Sequence, residues 1–426
     1  MQTQSNSRVA FIVGVAGALC LPGFAIGDVP LTLAHAQRLA LDIAPLVAVQ
    51  GAAVRAAREM AIAAGRRPDP ELKLGVDNLP INGPDRYTIG TDFMTMRRIG
   101  LAQEFTRADK LARRSERYER EAEKSEAERE AAVAVVQRET AIAWLERYYA
   151  EAMANAIVEQ RAEAQREVEA AEASYRAGRG GQADVFAARA AVVSLEDRAS
   201  EAQRRIATSR TSLSRWVGAA AGEPLAGRPD FDRIPDELAH EQLLLEHHPE
   251  VLVATRVEQL AAAEARLADE NRKTDWTWEL TYSRRGAPYS DMVSFGVSVP
   301  LPWDRANKQD REVAAKLALT EQAAAQREEV VRTHSADVKN MVAEWKNGLE
   351  RRRRLDAELL PLAGQRTQAA LGSYRGGKGT LVEVLAARRG ELDVRLQMLQ
   401  LDLDTARVWA RLNFLVPVEL EKRDPK

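Results

Sequence analysis

Five histidines, one cysteine and two close methionines are the only obvious soft or nucleophilic resources of this 426-residue chain. The histidines, His35, His240, His247, His248 and His334, contain no HExxH pair, so the usual helical zinc-hydrolase arrangement is absent. His247 and His248 stand directly before Pro249 and read as the surface entry of a helix rather than as ligands. Met94 and Met96 are spaced to share one face of a strand, and thioethers suit Cu(I). Two such ligands without a third read better as lipid-facing or barrel packing. Cys20 is alone, which excludes an intrachain disulfide and a cysteine-built metal cage. With no phosphate loop or nucleophile motif, the sequence predicts no enzyme, no cofactor and no resident metal. The remaining charged features are Asp184 and Glu383, each just after a glycine-rich stretch, and Arg351 to Arg354. That arginine run reads most simply as a solvated helix face, with contact to a partner protein as the competing reading.

The elements that would position these residues are mostly helical. Hydrophobic residues at 45% and charged ones at 29% fit a folded chain, while aromatics at only 5% favour extended helix over a large sheet. Lysine and arginine total 61 against 63 acidic residues, so composition gives no case for nucleic acid. Val9 to Gly27 is the only long apolar stretch; it follows Arg8 and ends in small residues. Residues 1–27 therefore read as a signal peptide, with a retained anchor as the alternative. Leu19 occupies the place where a small residue would precede a lipidated Cys20, which disfavours lipidation.

The chain is written twice. SYRAGRGGQADVFAAR (Ser174 to Arg189) and SYRGGKGTLVEVLAAR (Ser373 to Arg388) match at nine of sixteen positions at an offset of 199. Trp144 and Trp345, Pro45 and Pro249, and Leu101 to Phe105 beside Val297 to Leu301 recur at nearly the same offset. Two copies are a duplication, too few for a solenoid. The expected organisation is a first repeat over 28–217, a linker over 218–248, a second repeat over 249–415 and a tail over 416–426.

Each copy opens with an Ala-rich helical segment, Pro45 to Ala64 or Pro249 to Asn271, and then turns to period two. Leu72, Leu74 and Val76 alternate with Lys73, Gly75 and Asp77, and Trp276, Trp278, Leu280 and Tyr282 alternate with Thr277, Glu279, Thr281 and Ser283. Second strands are expected to be led by Ile89, Thr91 and Phe93 in the first copy and by Val293, Phe295, Val297, Val299 and Leu301 in the second. The hairpins would occupy about 70–105 and 275–302. Between Leu101 and Ala177 there is neither Gly nor Pro, which predicts a helix over about 108–177 some 100 Å long. A turn at Gly178, Gly180 and Gly181 would reverse it into a helix ending near Val217. The second copy predicts a helix over about 305–374, kinked by Pro361, a turn at Gly376, Gly377 and Gly379, and a return to about Leu415.

Four strands cannot close a transmembrane barrel, whose smallest examples have about eight. Open edges in lipid would leave backbone groups unsatisfied at several kcal/mol each. Strands and long hairpins must therefore be shared between copies, giving a short β-barrel on a long helical tube. A soluble coiled-coil scaffold with small capping sheets is the competing architecture.

Together, RRPDPELKLGVDN, RIGLAQEFTRADKLARR, VSVPLPWDRANK and the paired SYR(A/G)G(R/K)G turns resemble the TolC-like outer-membrane channel family, the exit ducts of tripartite efflux pumps and type I secretion systems. MTMRRIGLAQEF most resembles the heavy-metal branch, the CusC- and CzcC-like channels. The resemblance implies a mainly α fold with a small β part: duplicated long helical hairpins forming a trimeric α-barrel, and four strands per chain contributing to a 12-stranded outer-membrane β-barrel. It implies a homotrimer in outer-membrane lipid, with its helical tube in the periplasm, working with a periplasmic adaptor and an inner-membrane pump of the RND type on heavy-metal cations. Drug efflux and protein secretion stay open as alternatives, as does an adaptor role. It further implies a periplasmic tip and gate at Tyr175, Gly178, Gly180, Asp184, Tyr374, Gly377, Lys378, Gly379 and Glu383. Gly379 and Ala386 depart from the prototype's pattern, so a copied ionic lock is not expected. Asp184 and Glu383 would form rings of like charge or serve simply as helix N-terminal acids, and Tyr175 and Tyr374 would pack the tip or gate it.

Overall fold

The computed structural model describes residues 30–228, 230–235 and 248–418. The signal-peptide reading, Cys20, His240, His247, most of the expected linker after 235 and the tail from 419 lie outside the described residues.

In chain order the elements are α1 (Leu33–Ile43), α2 (Pro45–Ala64), β1 (Glu71–Asp77), β2 (Met96–Phe105), α3 (Ala108–Arg176) and α4 (Gln182–Val217). They continue with α5 (Pro249–Glu270), β3 (Trp276–Arg284), β4 (Met292–Ser298), α6 (Gln309–Arg354), α7 (Leu360–Arg375) and α8 (Leu381–Asn413). The 69 residues of α3 span roughly 100 Å at 1.5 Å each. Its uninterrupted Ala, Glu, Arg and Gln content explains why nothing stops it earlier. Helix α1 had no expected counterpart; Thr32 caps it by accepting the His35 amide at 3.2 Å. Pro361 is accommodated by a π turn over Leu355–Leu359, where the Leu360 amide reaches back to the Leu355 carbonyl. Widening the helix there relieves the ring's conflict with the preceding turn, so the long helix continues past the proline.

The helices lie in a row four wide at every height. Near the sheet the order is α2, α3, α5, α6; beyond the middle it is α4, α3, α8, then α6 and α7. Helices α3 and α6 pass through both levels, and α3 joins the two copies by packing on α5 near the sheet and on α8 beyond the middle.

The four strands form one antiparallel sheet in the order β1-β2-β3-β4. The β2–β3 pair joins the copies, while β1 and β4 are left as free edges. The register aligns Leu72, Leu101, Leu280 and Phe295 in one row and Leu74, Ile99, Tyr282 and Val293 in the next, all exposed on one face. The opposite face carries Lys73, Gly100, Thr281 and Ser294 in register, with Lys73 bonded to Glu279 at 2.6 Å. The alternation thus points its apolar side away from the chain's own core.

Two strand expectations are corrected. Ile89, Thr91 and Phe93 lie in a loop, and β2 begins only at Met96. The Asp92 carboxylate accepts the Met94 and Thr95 amides at 2.7 and 3.1 Å, and Thr95 Oγ1 donates to the Asn78 carbonyl at 3.0 Å. This aspartate turn supplies the segment's bonds locally and competes with the ladder. Met94 is consequently an exposed loop residue, and only Met96 belongs to the strand. In the second copy β4 ends at Ser298, leaving Val299 and Leu301 just beyond it.

The main core is a belt around the middle of the helices. Trp144 donates its indole N–H to the Leu31 carbonyl at 2.9 Å, and Trp345 donates to the Phe231 carbonyl at 2.9 Å. The duplicated tryptophans do the same job: each holds the extended segment that crosses its copy. Trp409 adds a third bond, to the Arg233 carbonyl at 2.7 Å. Arg352 corrects the reading of Arg351 to Arg354 as a wholly solvated face. It is half-buried, pairs with Asp232 at 2.5 Å and Asp402 at 3.1 Å, and lies 4.9 Å from the Phe231 ring centre. Arg351, Arg353 and Arg354 are exposed.

Candidate functional site at the helical tip

Both glycine-rich turns have the same construction. After α3, Gly178 takes φ +69°; its amide bonds to the Tyr175 carbonyl at 3.0 Å, and the Arg179 amide bonds to the Ser174 carbonyl at 3.0 Å. After α7, Gly377 takes φ +72°, its amide bonds to Tyr374 at 3.0 Å, and the Lys378 amide bonds to Ser373 at 2.9 Å. This is the Schellman closure, which needs a left-handed residue that glycine supplies without a side-chain clash. Gly180 and Gly379 serve a different need. A Cβ at either would come 2.9 Å from Ser174 Oγ or 3.0 Å from Ser373 Cβ, so the chain can fold back over the helix end only without one.

The two acidic residues sit at N3 of the returning helices. Asp184 accepts the Gly181 amide at 3.0 Å. Glu383 accepts the Thr380 amide at 3.1 Å while Thr380 Oγ1 accepts the Glu383 amide at 3.3 Å, a complete capping box. Gly181 has no side chain, so the first copy has only the acidic half. Of the two readings of these carboxylates, helix-terminal capping is the one with visible bonds.

The tyrosines, expected to behave alike, do not. Tyr374 packs against the cluster of Val168, Ala171, Val185, Ala188, Leu381 and Val384 that joins the two tips. Tyr175 is 48% exposed and contributes nothing to that cluster. Lys378, within its turn, is also exposed.

Ion pairs bind the two hairpins just above the tip. Arg388, equivalent to Arg189, bonds to Glu167 and lies 3.3 Å from Glu163. Arg189 instead pairs within its own hairpin, with Glu172 at 2.6 Å. Burial pushes the Glu167 carboxyl above the usual range, and Arg388 opposes the shift. Arg198 to Asp393, Arg395 to Glu159 and Arg407 to Glu146, each 2.7 Å, continue the seam toward the belt.

One sequence reading is overturned near the middle of the helices, where the second copy begins. His248 is no surface residue: it is 3% exposed, and its ring lies on that of His334 with centres 3.5 Å apart. Burial, then His334 and Arg138, lower its pKa to about 3, and burial also lowers that of His334. A partner 86 residues downstream has no local signature, so spacing could not reveal the pair.

Among the described residues no single helix is long and apolar enough to cross a membrane. The surface suited to lipid is the outward apolar face of the sheet, with Leu74 and Phe295 each 69% exposed.

No curated protein matches the chain. Solved structures do: VceC from Vibrio cholerae, at 19% identity and TM-score 0.74, covers 91% of this chain and 97% of its own. The outer-membrane channel OprN is similar at 17% identity and TM-score 0.76 over 91% of this chain and 90% of its own. CusC is similar at 16% identity and TM-score 0.76 over 91% and 92%. At such identities these likenesses speak to fold, and they agree with helical hairpins of a tube joined to strands of a barrel. The family model for outer membrane efflux proteins matches residues 37–219 and 241–416, most of the sequence and both copies, and the chain belongs to that family of outer-membrane channels, which are trimers with a periplasmic helical tube and are not enzymes.

Proposed function

We propose that the chain is the outer-membrane exit duct of a tripartite efflux system, coupled to an inner-membrane RND-type pump through a periplasmic adaptor and exporting heavy-metal cations. The observation that carries the duct is the sheet with two free edges and an outward apolar face. Lipid offers no partner to those edges, so copies must close them. Two copies would give eight strands, whose interior side chains fill the lumen; four strands from each of three copies give twelve. Twelve leave room for water around Lys73, Arg98 and Glu279 on the inner face.

The helical row then extends the same passage into the periplasm, and its tip is the constriction an adaptor would engage. There Tyr175, Asp184, Lys378 and Glu383 form the gate region, supported by the glycine turns at Gly178, Gly180, Gly377 and Gly379. Energy must come from elsewhere, since the family's members are not enzymes. The heavy-metal assignment rests on the MTMRRIGLAQEF segment.

Planar-bilayer recording of the detergent-purified trimer tests the duct: steady conductance is expected, and a monomer without conductance would refute it. Deletion of the gene tests the cargo. Sensitivity to copper, silver, cobalt or zinc is expected; sensitivity to drugs alone, or loss of a secreted protein, would replace it.

A further inference from the structure

His248, Glu250 and His334 meet where the second copy begins, well away from the tip. His248 is the residue before α5, Glu250 lies in that helix's first turn, and His334 projects from the middle of α6. One ligand atom from each lies within 4.8 Å of the other two. The Glu250 carboxylate reaches to 4.0 Å from His334 Nδ1. We infer that these three side chains form a binding site for one borderline divalent cation of the zinc type per chain, clipping the start of α5 to α6.

Two features favour a ligand over packing. The first is orphaned polarity: Nε2 of His248 and Nε2 of His334 are buried without a hydrogen-bond partner, in side chains 3% and 8% exposed. Each such group keeps its desolvation penalty uncompensated, and a buried unsatisfied group in a native fold calls for an explanation. Two aliphatic residues would fill the same space without it. The second is the donor set. Two imidazoles and a carboxylate suit Zn²⁺ and leave a fourth position for water.

The geometry asks for small movements. Tetrahedral zinc with bonds of about 2.0–2.1 Å separates its ligand atoms by about 3.4 Å, so ligand atoms up to 4.8 Å apart must close by up to about 1.4 Å. Glu250 can supply this, because its side chain is 62% exposed and free to change rotamer. The same exposure gives the cation its entry path. His248 Nδ1 accepts the Glu250 amide at 3.3 Å, a long contact, and keeps it while the unpartnered Nε2 binds the cation. The site stands on these residues alone and does not depend on what the channel exports.

The test uses untagged, chelator-stripped full-length protein in detergent, titrated with Zn²⁺ by calorimetry and with Co²⁺ by visible spectroscopy. Wild type should bind one Zn²⁺ per chain, show the strong visible bands of tetrahedral Co²⁺, and melt at a higher temperature with Zn²⁺. Glu250→Gln, on an exposed side chain, should weaken binding at least tenfold with the fold intact, and His334→Gln should abolish both the stoichiometric site and the Co²⁺ spectrum. Circular dichroism and trimer size check that variant's fold. Zn²⁺ binding unchanged in Glu250→Gln and His334→Gln, or wild type without stoichiometric binding, overturns the inference. Either result leaves the bilayer-conductance test of the duct untouched.

Discussion

Replacing Arg388 with methionine isolates the buried electrostatics near the tip. It removes the guanidinium facing Glu167 while keeping a long side chain with similar helix propensity. Glu167 is 8% exposed, and burial already holds its carboxyl above the usual range against the opposing pull of Arg388. Stranding one member of a buried pair costs about 3–5 kcal/mol while the charge persists. Glu167 can escape by taking a proton, so the penalty depends on pH. A carboxyl with a folded pKa above its unfolded value binds a proton in the native chain where the unfolded chain has released it. Stability therefore falls as pH rises from the unfolded pKa to the folded one, by about 1.4 kcal/mol per unit. Loss of Arg388 raises the folded pKa further and widens that window. Arg388→Met should thus be mild near about pH 5 and approach the 3–5 kcal/mol ceiling near about pH 8. The lost contact with Glu163, a partly exposed carboxylate, adds under about 1 kcal/mol. Unfolding of the detergent-solubilised protein, followed by circular dichroism at both pH values, measures the difference. In Arg388→Met with Glu167→Gln the pH dependence should vanish. A penalty equal at both pH values, or one that persists in the double variant, refutes the reasoning.

Gly178→Ala and Gly377→Ala should each cost about 1–2 kcal/mol, because both positions need positive φ; equal stability by denaturant titration would contradict the turn geometry. Gly348→Val should destabilise the α6–α8 contact by about 1–3 kcal/mol, since a Cβ there would sit 2.4 Å from Thr405 Oγ1. Thr405→Ala should restore part of the loss, and absence of any rescue would argue against a steric origin. Trp345→Phe removes the indole bond to Phe231 and leaves that carbonyl unpaired, at about 1–3 kcal/mol. Faster proteolysis near 230–235 should follow, and an unchanged digest would count against the belt as the clamp. Asp184→Ala with Glu383→Ala removes both cap carboxylates, at about 0.5–2 kcal/mol each, and should alter cation selectivity or leak in planar bilayers. Unchanged conductance and selectivity would remove these acids from the gate.

What the sequence made legible has a physical pattern. Helix α3 was readable because a long stretch without Gly or Pro has no local means of stopping, and the turns because positive φ selects glycine. The sheet was readable through period two, yet Ile89, Thr91 and Phe93 show the limit of that signal. Alternation reports which residues would share a face, not whether a ladder forms. Here Asp92 satisfied the backbone first. Pro361 was visible as a disturbance, but the form of the response, a π turn, depends on the packed helix around it.

The buried histidines and the tryptophan belt illustrate the harder case. Trp144 and Trp345 were visible as a duplicated pair, and the duplication implied a duplicated job. The partners that define the job, Leu31 and Phe231, lie more than a hundred residues away. His248 and His334 differ because neither belongs to the duplicated pattern. The position equivalent to His248 is Ala44, before Pro45, and the first copy therefore packs the same helix entry with a small apolar residue. Duplication fixes what both copies need for the tube, whereas a polar cluster confined to one copy serves something the tube does not require. That asymmetry sets the cation site apart from the architecture and makes it separable: Glu250→Gln should shrink the Zn²⁺-dependent rise in melting temperature while leaving bilayer conductance at its wild-type value, and a fall in conductance would tie the cluster to the duct after all.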